Sequence, residues 1–174
     1  MTTSLTNTVC SFHARLNDLF DWQQEAIVEK KFELACHLFE LHNQLMEDHI
    51  QLENTLLLPA HASLSSTRWP STLYRHEHDK ILNLLDRALQ QLRCVQQSSL
   101  TPRRWVISLL DYQRTVKNVL EHHEQREEQG LLSELTEQNS EQAFQLGLQC
   151  QQHWQSSFAK HATLIQNLRD QLDA

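Results

Sequence analysis

Apolar residues recur at helical spacing almost from the start of the chain. Val9, Phe12, Leu16, Leu19, Phe20 and Ile27 form one stripe, predicting a helix over about 3–30 with His13 on its apolar face. The stripe lapses at Glu29-Lys30-Lys31, which predicts a turn. A second stripe, Leu34, Leu38, Leu41, Leu45, Leu52 and Leu56, predicts a helix over about 32–60, with His49 and Glu53 at its edge and Pro59 marking its end. Residues 61–69 are rich in Ser and Thr and read as a loop. Pro70 suits the first turn of a third helix. That helix carries Leu82, Leu85, Leu89 and Leu92 on one face, and His78 continues the face toward its start. The polar run Gln96-Gln97-Ser98-Ser99 ends it.

Thr101-Pro102 offers a capping hydroxyl followed by a proline at the first helical position, so a fourth helix is expected over about 102–135. Its seam can be followed by sevens through 109, 116 and 123 and through 106, 113, 120 and 127. His123 and Glu127 therefore both fall on the seam. Asn139 or Ser140 can cap a fifth helix reaching Leu172, whose apolar side is Phe144, Leu148, Phe158, Leu164, Ile165 and Leu168. That stripe covers the bundle by default; a homodimer contact is the other reading. The predicted class is all-α, an up-down-up-down four-helix bundle with a fifth C-terminal helix. One domain spans 1–174, with the bundle over about 5–135 and the last helix over about 140–172.

The phrase H-x-x-x-E-x-x-x-L-L occurs twice, as His49 to Leu58 and as His123 to Leu132. A His and a Glu four apart stack on one face of a helix, a turn apart. Pointed into a core, an imidazole and a carboxylate are poor company unless they hold a cation. If the first turn is centred near residue 31, the antiparallel partner level with His49 is residue 13. If the third is centred near 100, the partner of His123 falls beside His78. His13, His49, Glu53, His78, His123 and Glu127 are thus the expected ligands of a dinuclear site, with histidines in terminal positions and each Glu free to bridge. Nitrogen and oxygen donors without thiolate suit iron or manganese better than copper(I) or structural zinc.

Composition narrows the field. Two glycines, three prolines and many Leu, Gln and Glu residues favour helices, and 174 residues can bury a sizeable core. The net charge of -7 argues against nucleic acid or an anionic membrane as the main partner. No apolar run approaches the roughly 18 residues of a membrane span. Residues 1–8 have neither the basic start nor the apolar stretch of a signal peptide, so a cytoplasmic protein is expected. Cys10, Cys36, Cys94 and Cys150 are scattered without a C-x-x-C pair and read as free thiols.

On these residues the sequence resembles the hemerythrin-like, or HHE cation-binding, domains. The matching stretches are 13–20, His49-x3-Glu53 with Leu56-Leu57-Leu58-Pro59, Glu77-His78-Asp79-Lys80-Ile81, and His123-x3-Glu127-Glu128 with Leu131-Leu132, within about residues 10–135. The resemblance implies a four-helix bundle around two non-haem iron ions, bridged by two carboxylates and an oxo or hydroxo group, with manganese or zinc as other occupants. It implies a small diatomic ligand or a peroxide as partner: members bind O2, sense O2, NO or redox state, or handle iron. Two departures speak against reversible O2 carriage. The position four before His78, a histidine in oxygen carriers, is Tyr74, a candidate phenolate ligand or a hydrogen-bonding neighbour of the site. The family's bridging H-x4-D is a second H-x3-E.

Other readings compete. A di-iron oxidase or peroxidase would use the same ions, a metal-free bundle would serve as an interaction module, and a zinc hydrolase would need fewer ligands than are present. Whether the chain is an enzyme is left open, with binding favoured. His42 reads as a core histidine with a hydrogen bond. His37, His61, His76, His153 and His161 read as surface residues. His122 is the alternative to His123, and Glu128 reads as solvated.

Overall fold

The computed structural model describes residues 4–98 and 103–174, and among these every element is helical. In chain order they are α1 (Leu5–Val28), α2 (Phe32–Leu52), a widened π turn (Glu53–Leu57), α3 (Leu58–Ala62), α4 (Ser71–Gln96), α5 (Arg103–Arg126), a second π turn (Glu127–Leu132), α6 (Ser133–Gln138) and α7 (Ser140–Leu172). The expected Thr101-Pro102 start and the turn centre near 100 lie outside the described residues. Ser4 caps α1 through its Oγ, which accepts the Asn7 N–H at 3.1 Å, and Asn139 caps α7 by accepting the Gln142 N–H at 3.0 Å.

The break at Glu29-Lys30-Lys31 is a tight reversal. Lys31 N–H reaches back to Ala26 O and Lys30 N–H to Ile27 O, while Lys30 takes φ 62° in the left-handed region. This is the helix-ending pattern that usually carries glycine. α1 then faces α2 through Phe20 against Phe39 and His13 against His49. α2 faces α4 through Glu40–Arg93, and the first π turn does so through Asn54–His78. α4 faces α5 through Glu77–His123, and α1 faces α5 through Asp21–Lys117 and a reciprocal amide pair, Gln23–Gln113, in the core.

Two helices predicted as unbroken carry a π turn, and each π turn begins at a Glu of the repeated phrase. One extra residue per turn rotates the downstream side chains about the helix axis. That is why Leu57 and Leu58 are fully buried whereas Leu56, on the predicted stripe, is only half-buried. Pro59 does not end the second helix. It stands in the first turn of α3, where a missing N–H is tolerated.

The predicted apolar side of α7 also needs correction. Phe144, Leu148 and Leu164 are 37–44% exposed. Phe158 and Leu168 are buried as predicted, and the rest of the buried face is Ala143, Leu146, Gly147, Cys150, Trp154, Ser157 and Leu172. Close approach sets this rotation: a Cβ on Gly147 would lie 3.2 Å from the backbone of Leu5, so the small residues face α1 and the bulky ones turn outward. α7 runs along α1, with Trp154 and Phe158 against Phe12 and Arg169 over Trp22.

His42 lies in the core as expected, stacked on Phe39 and edge-on to Phe20, with Nδ1 3.1 Å from Asn43 Oδ1. Burial pushes its pKa down to about 4, the Asn43 contact opposing only in part. Between about pH 6.5 and about 4 the unfolded chain therefore takes up a proton that the folded chain refuses. Folding stability drawn from this group is lost as pH falls through that window, at about 1.4 kcal/mol per unit. His42→Phe is expected to flatten the fall by roughly 3 kcal/mol. Urea midpoints of both proteins at pH 7 and pH 4.5 check this, and parallel shifts would refute it.

Candidate metal centre

The six predicted residues meet. α1 brings His13, α2 brings His49, the first π turn Glu53, α4 His78, α5 His123 and the second π turn Glu127, all at most 5% exposed. They form two groups, His13 with His49 and His78 with His123, and both groups share Glu53 and Glu127. Within each group, one ligand atom per residue lies within 4.8 Å of the others. These buried clusters could hold a metal ion.

The Nε2 atoms of His13 and His49 are 3.0 Å apart, and His13 Nε2 is 3.4 Å from Glu127 Oε2. His49 Nε2 is 3.5 Å from Glu53 Oε2. His78 Nε2 is 3.3 Å from Glu53 Oε2 and 3.5 Å from Glu127 Oε1, and His123 Nε2 is 3.0 Å from Glu127 Oε1. Such spacings match neighbouring donors around one ion at about 2.1 Å, which stand about 3.0 Å apart in an octahedron and about 3.4 Å in a tetrahedron.

The chemistry of the donors provides the fit test. Among the described residues, both oxygens of Glu53, both of Glu127, and Nε2 of His78 and of His123 have no hydrogen-bond partner. Two buried carboxylates with every lone pair unsatisfied would be costly in a dry core. A cation between them is the compensation that their convergence fits.

Titration behaviour points the same way. Burial and the facing Glu127 push the Glu53 pKa up to about 8. Burial also works to raise Glu127, but His123, His78 and His13 outweigh it and hold that carboxyl well below its ordinary range. Burial lowers His78 and His123, yet the two carboxylates win and both rings sit above the usual imidazole value. His49 lies well below it, through burial and then His13. Without an ion, then, the cluster gathers protons in its place.

Several contributors were not read from the sequence. Asn54 Oδ1 lies 3.0 Å from His78 Nδ1, and Glu77 Oε2 lies 3.1 Å from His123 Nδ1 while its other oxygen meets Arg126. Each is adjacent in sequence to a predicted ligand, Asn54 after Glu53 and Glu77 before His78, which was the available signal. Phe12 stacks on His49 at 5.1 Å, and Trp154 of α7 lies 5.2 Å from the same ring. Cys150, also on α7, is buried, and burial together with Glu53 pushes its pKa up to about 12. A thiol so held is an inert packing group.

Tyr74 is buried beside the second π turn. Its hydroxyl accepts the Leu131 N–H at 3.1 Å and donates to Arg126 O at 3.5 Å, bridging the helical ladder where it widens. Burial pushes its pKa up to about 12. The geometry gives it a structural task and disfavours a phenolate. Gly130 makes room for it: a Cβ there would lie 2.5 Å from the Tyr74 hydroxyl and 2.7 Å from the Trp69 ring. Gly130→Ala is accordingly expected to destabilise the protein by about 1–3 kcal/mol, measured as a lower urea midpoint. An unchanged midpoint would mean that Tyr74 and Trp69 move aside freely.

The remaining histidines divide. His122 is exposed, which leaves position 123 as the inward one, and Glu128 is exposed, accepting from Cys10 Sγ at 3.3 Å. His37, His76 and His153 are exposed as expected, and His161 is half-buried. His61 is not on the surface. It is fully buried, with Nδ1 2.9 Å from Ser71 Oγ and Nε2 2.7 Å from Glu134 Oε2, and Glu134 also accepts the Arg68 N–H at 2.6 Å. Placed in α3 beyond the first π turn, it ties the start of α4 to α6.

No family model matches the chain, and no curated protein and no solved structure is significantly similar to it. The class that fold and site define is an all-helical protein with buried His/Glu clusters able to hold metal.

Proposed function

We propose that this chain is a hemerythrin-like non-haem di-iron protein that binds O2, NO or a peroxide, in sensing, protection against oxidative or nitrosative stress, or iron handling. The observation that carries the reading is one shared geometry: two His pairs around two buried carboxylates whose oxygens have no hydrogen-bond partner among the described residues. The architecture we infer is an up-down-up-down bundle of α1, α2, α4 and α5, covered on one side by α7. The opposed pairings Phe20–Phe39, Glu40–Arg93, Glu77–His123 and Asp21–Lys117 support it.

His13, His49, His78 and His123 would hold the ions, and Glu53 and Glu127 would bridge them. The ions would supply a redox-active centre for a small ligand. The chain's own contribution is to orient the rings, as Asn54 and Glu77 do through Nδ1, and to exclude water, as Phe12 and Trp154 do over His49. An imidazole and carboxylate donor set favours iron or manganese. Two ligand groups that share both carboxylates exceed what one open zinc ion needs, so a binding or redox role fits better than hydrolysis. The absence of an apolar membrane span among the described helices fits the cytoplasm we propose as its site of action.

The test is metal content and the optical spectrum of protein purified in air. Two iron ions per chain with oxo-bridge absorption in the near ultraviolet support the reading. Failure to bind metal after anaerobic reconstitution would leave a metal-free interaction module, and a single zinc ion would redirect the assignment to hydrolysis.

A further inference from the structure

The two groups of ligands look alike in residue type and differ in how their rings are held. His123 Nδ1 faces a carboxylate oxygen of Glu77, and His78 Nδ1 faces the amide oxygen of Asn54. Both oxygens only accept, so Nδ1 of each ring carries a proton, and that proton stays hydrogen-bonded when the inward Nε2 gives its lone pair to a cation. Both rings of this half are thus aimed for a cation before one arrives. Arg126 holds Glu77 in turn, and Asn54 is fixed by its place in the first π turn.

The other half is set differently. His13 Nε2 and His49 Nε2 make a hydrogen bond at 3.0 Å, which requires one of them to carry a proton on the atom that would bind metal. The Nδ1 atoms of both rings are buried without a partner among the described residues. A cation entering here has to break the ring–ring hydrogen bond and send that proton to an Nδ1 with no acceptor. Phe12 and Trp154, packed on the His49 ring, offer none through their aromatic faces.

We infer that the two metal positions are unequal: Glu53, His78, His123 and Glu127 take the first cation, and His13 and His49, with the shared carboxylates, take a second one more weakly. This rests on the metal-binding reading above. Asn54 and Glu77 are the positioning residues of the tight site, and among the described residues the weak site has no counterpart to them. The protein would then pass through a singly loaded form over a range of metal concentration, and its occupancy would report iron supply.

The experiment is an anaerobic titration of the metal-free full chain with iron(II), the free ion being measured by a competing colorimetric chelator. Wild type is expected to bind in two separate steps. His13→Ala with His49→Ala removes the weaker step and leaves the tighter constant in place. Asn54→Ala and Glu77→Ala each weaken the tighter step about 10–100-fold, and Glu77→Gln, which keeps an acceptor oxygen, restores part of it. Two equal constants in wild type, loss of the tighter step in the His13/His49 variant, or unaltered constants in both the Asn54 and the Glu77 variants would each overturn the inference while leaving a metal protein. No iron bound by any form would overturn the functional reading and this inference with it.

Discussion

Replacing Glu53 and Glu127 together by alanine is expected to abolish metal binding, a larger effect than any pair of histidine substitutions should have. The reason is topological. Each carboxylate belongs to both ligand groups, whereas each histidine belongs to one. Loss of His13 and His49 leaves Glu53, His78, His123 and Glu127 intact; loss of the two glutamates leaves two isolated imidazole pairs. Neutral nitrogens alone also no longer offset the charge of a divalent ion in a core that excludes water. The fold should survive the change. Without an ion, burial and Glu127 already drive Glu53 toward its protonated form, with a pKa of about 8, so the bundle does not depend on that charge at neutral pH. Elemental analysis beside far-ultraviolet circular dichroism gives the answer. Helical protein without metal is the expected result, and unchanged metal content in a folded variant would sink the assigned site. Should the alanine variant fail to fold, the glutamine pair keeps the volume while removing both charges.

The sequence made this prediction possible only in part. Helical stripes and the doubled H-x3-E placed all six residues on core faces, because a period of 3.6 survives in any helix that buries one side. What periodicity could not show is where the period itself changes. The π turns at Glu53 and Glu127 add a residue to the register, so extrapolation past the first of them misplaced Leu56 and made Pro59 an end. His61 fell in the same blind region. Its Ser-rich neighbourhood read as solvated, yet the widened turn carries it inward to Ser71 and Glu134. The error on α7 has another origin. Phe144 and Leu148 are more apolar than Ala143 and Gly147, but helix–helix approach is decided by size, and the small face is the one that fits against Leu5. Asn54 and Glu77 stayed hidden because a polar residue beside a ligand looks the same in sequence whether it faces solvent or a ring nitrogen.

Removing the metal should cost the protein much of its stability, by an amount that grows as pH rises toward about 8. An ion that binds only the folded chain stabilises it by about 4 kcal/mol when present at a thousandfold excess over its dissociation constant. For a chain of this size that corresponds to a fall in Tm of roughly 8–16 °C on chelation. The pH dependence follows from the protons that stand in for the ion. Glu53 has a folded pKa raised from 4.5 to about 8, and His78 and His123 are raised above 6.5. Groups with raised folded pKa values contribute stability that is present at low pH and lost as pH climbs through the folded value. The metal-free protein therefore weakens as pH climbs toward about 8. Near pH 6.5 His42 and His49, both lowered, offset part of this because the unfolded rings are still partly protonated, and above about 7.5 they are neutral folded or unfolded and add no slope. The loaded protein moves the other way. Fewer protons compete for the ligands, and its apparent affinity rises over the same range. Melting curves with and without chelator at pH 6.5, 7.2 and 8 should diverge. Curves that coincide would mean no ion is bound, and a gap that narrows with pH would mean that the ion does not displace protons from Glu53 and the two histidines, contrary to the geometry that places its ligands there.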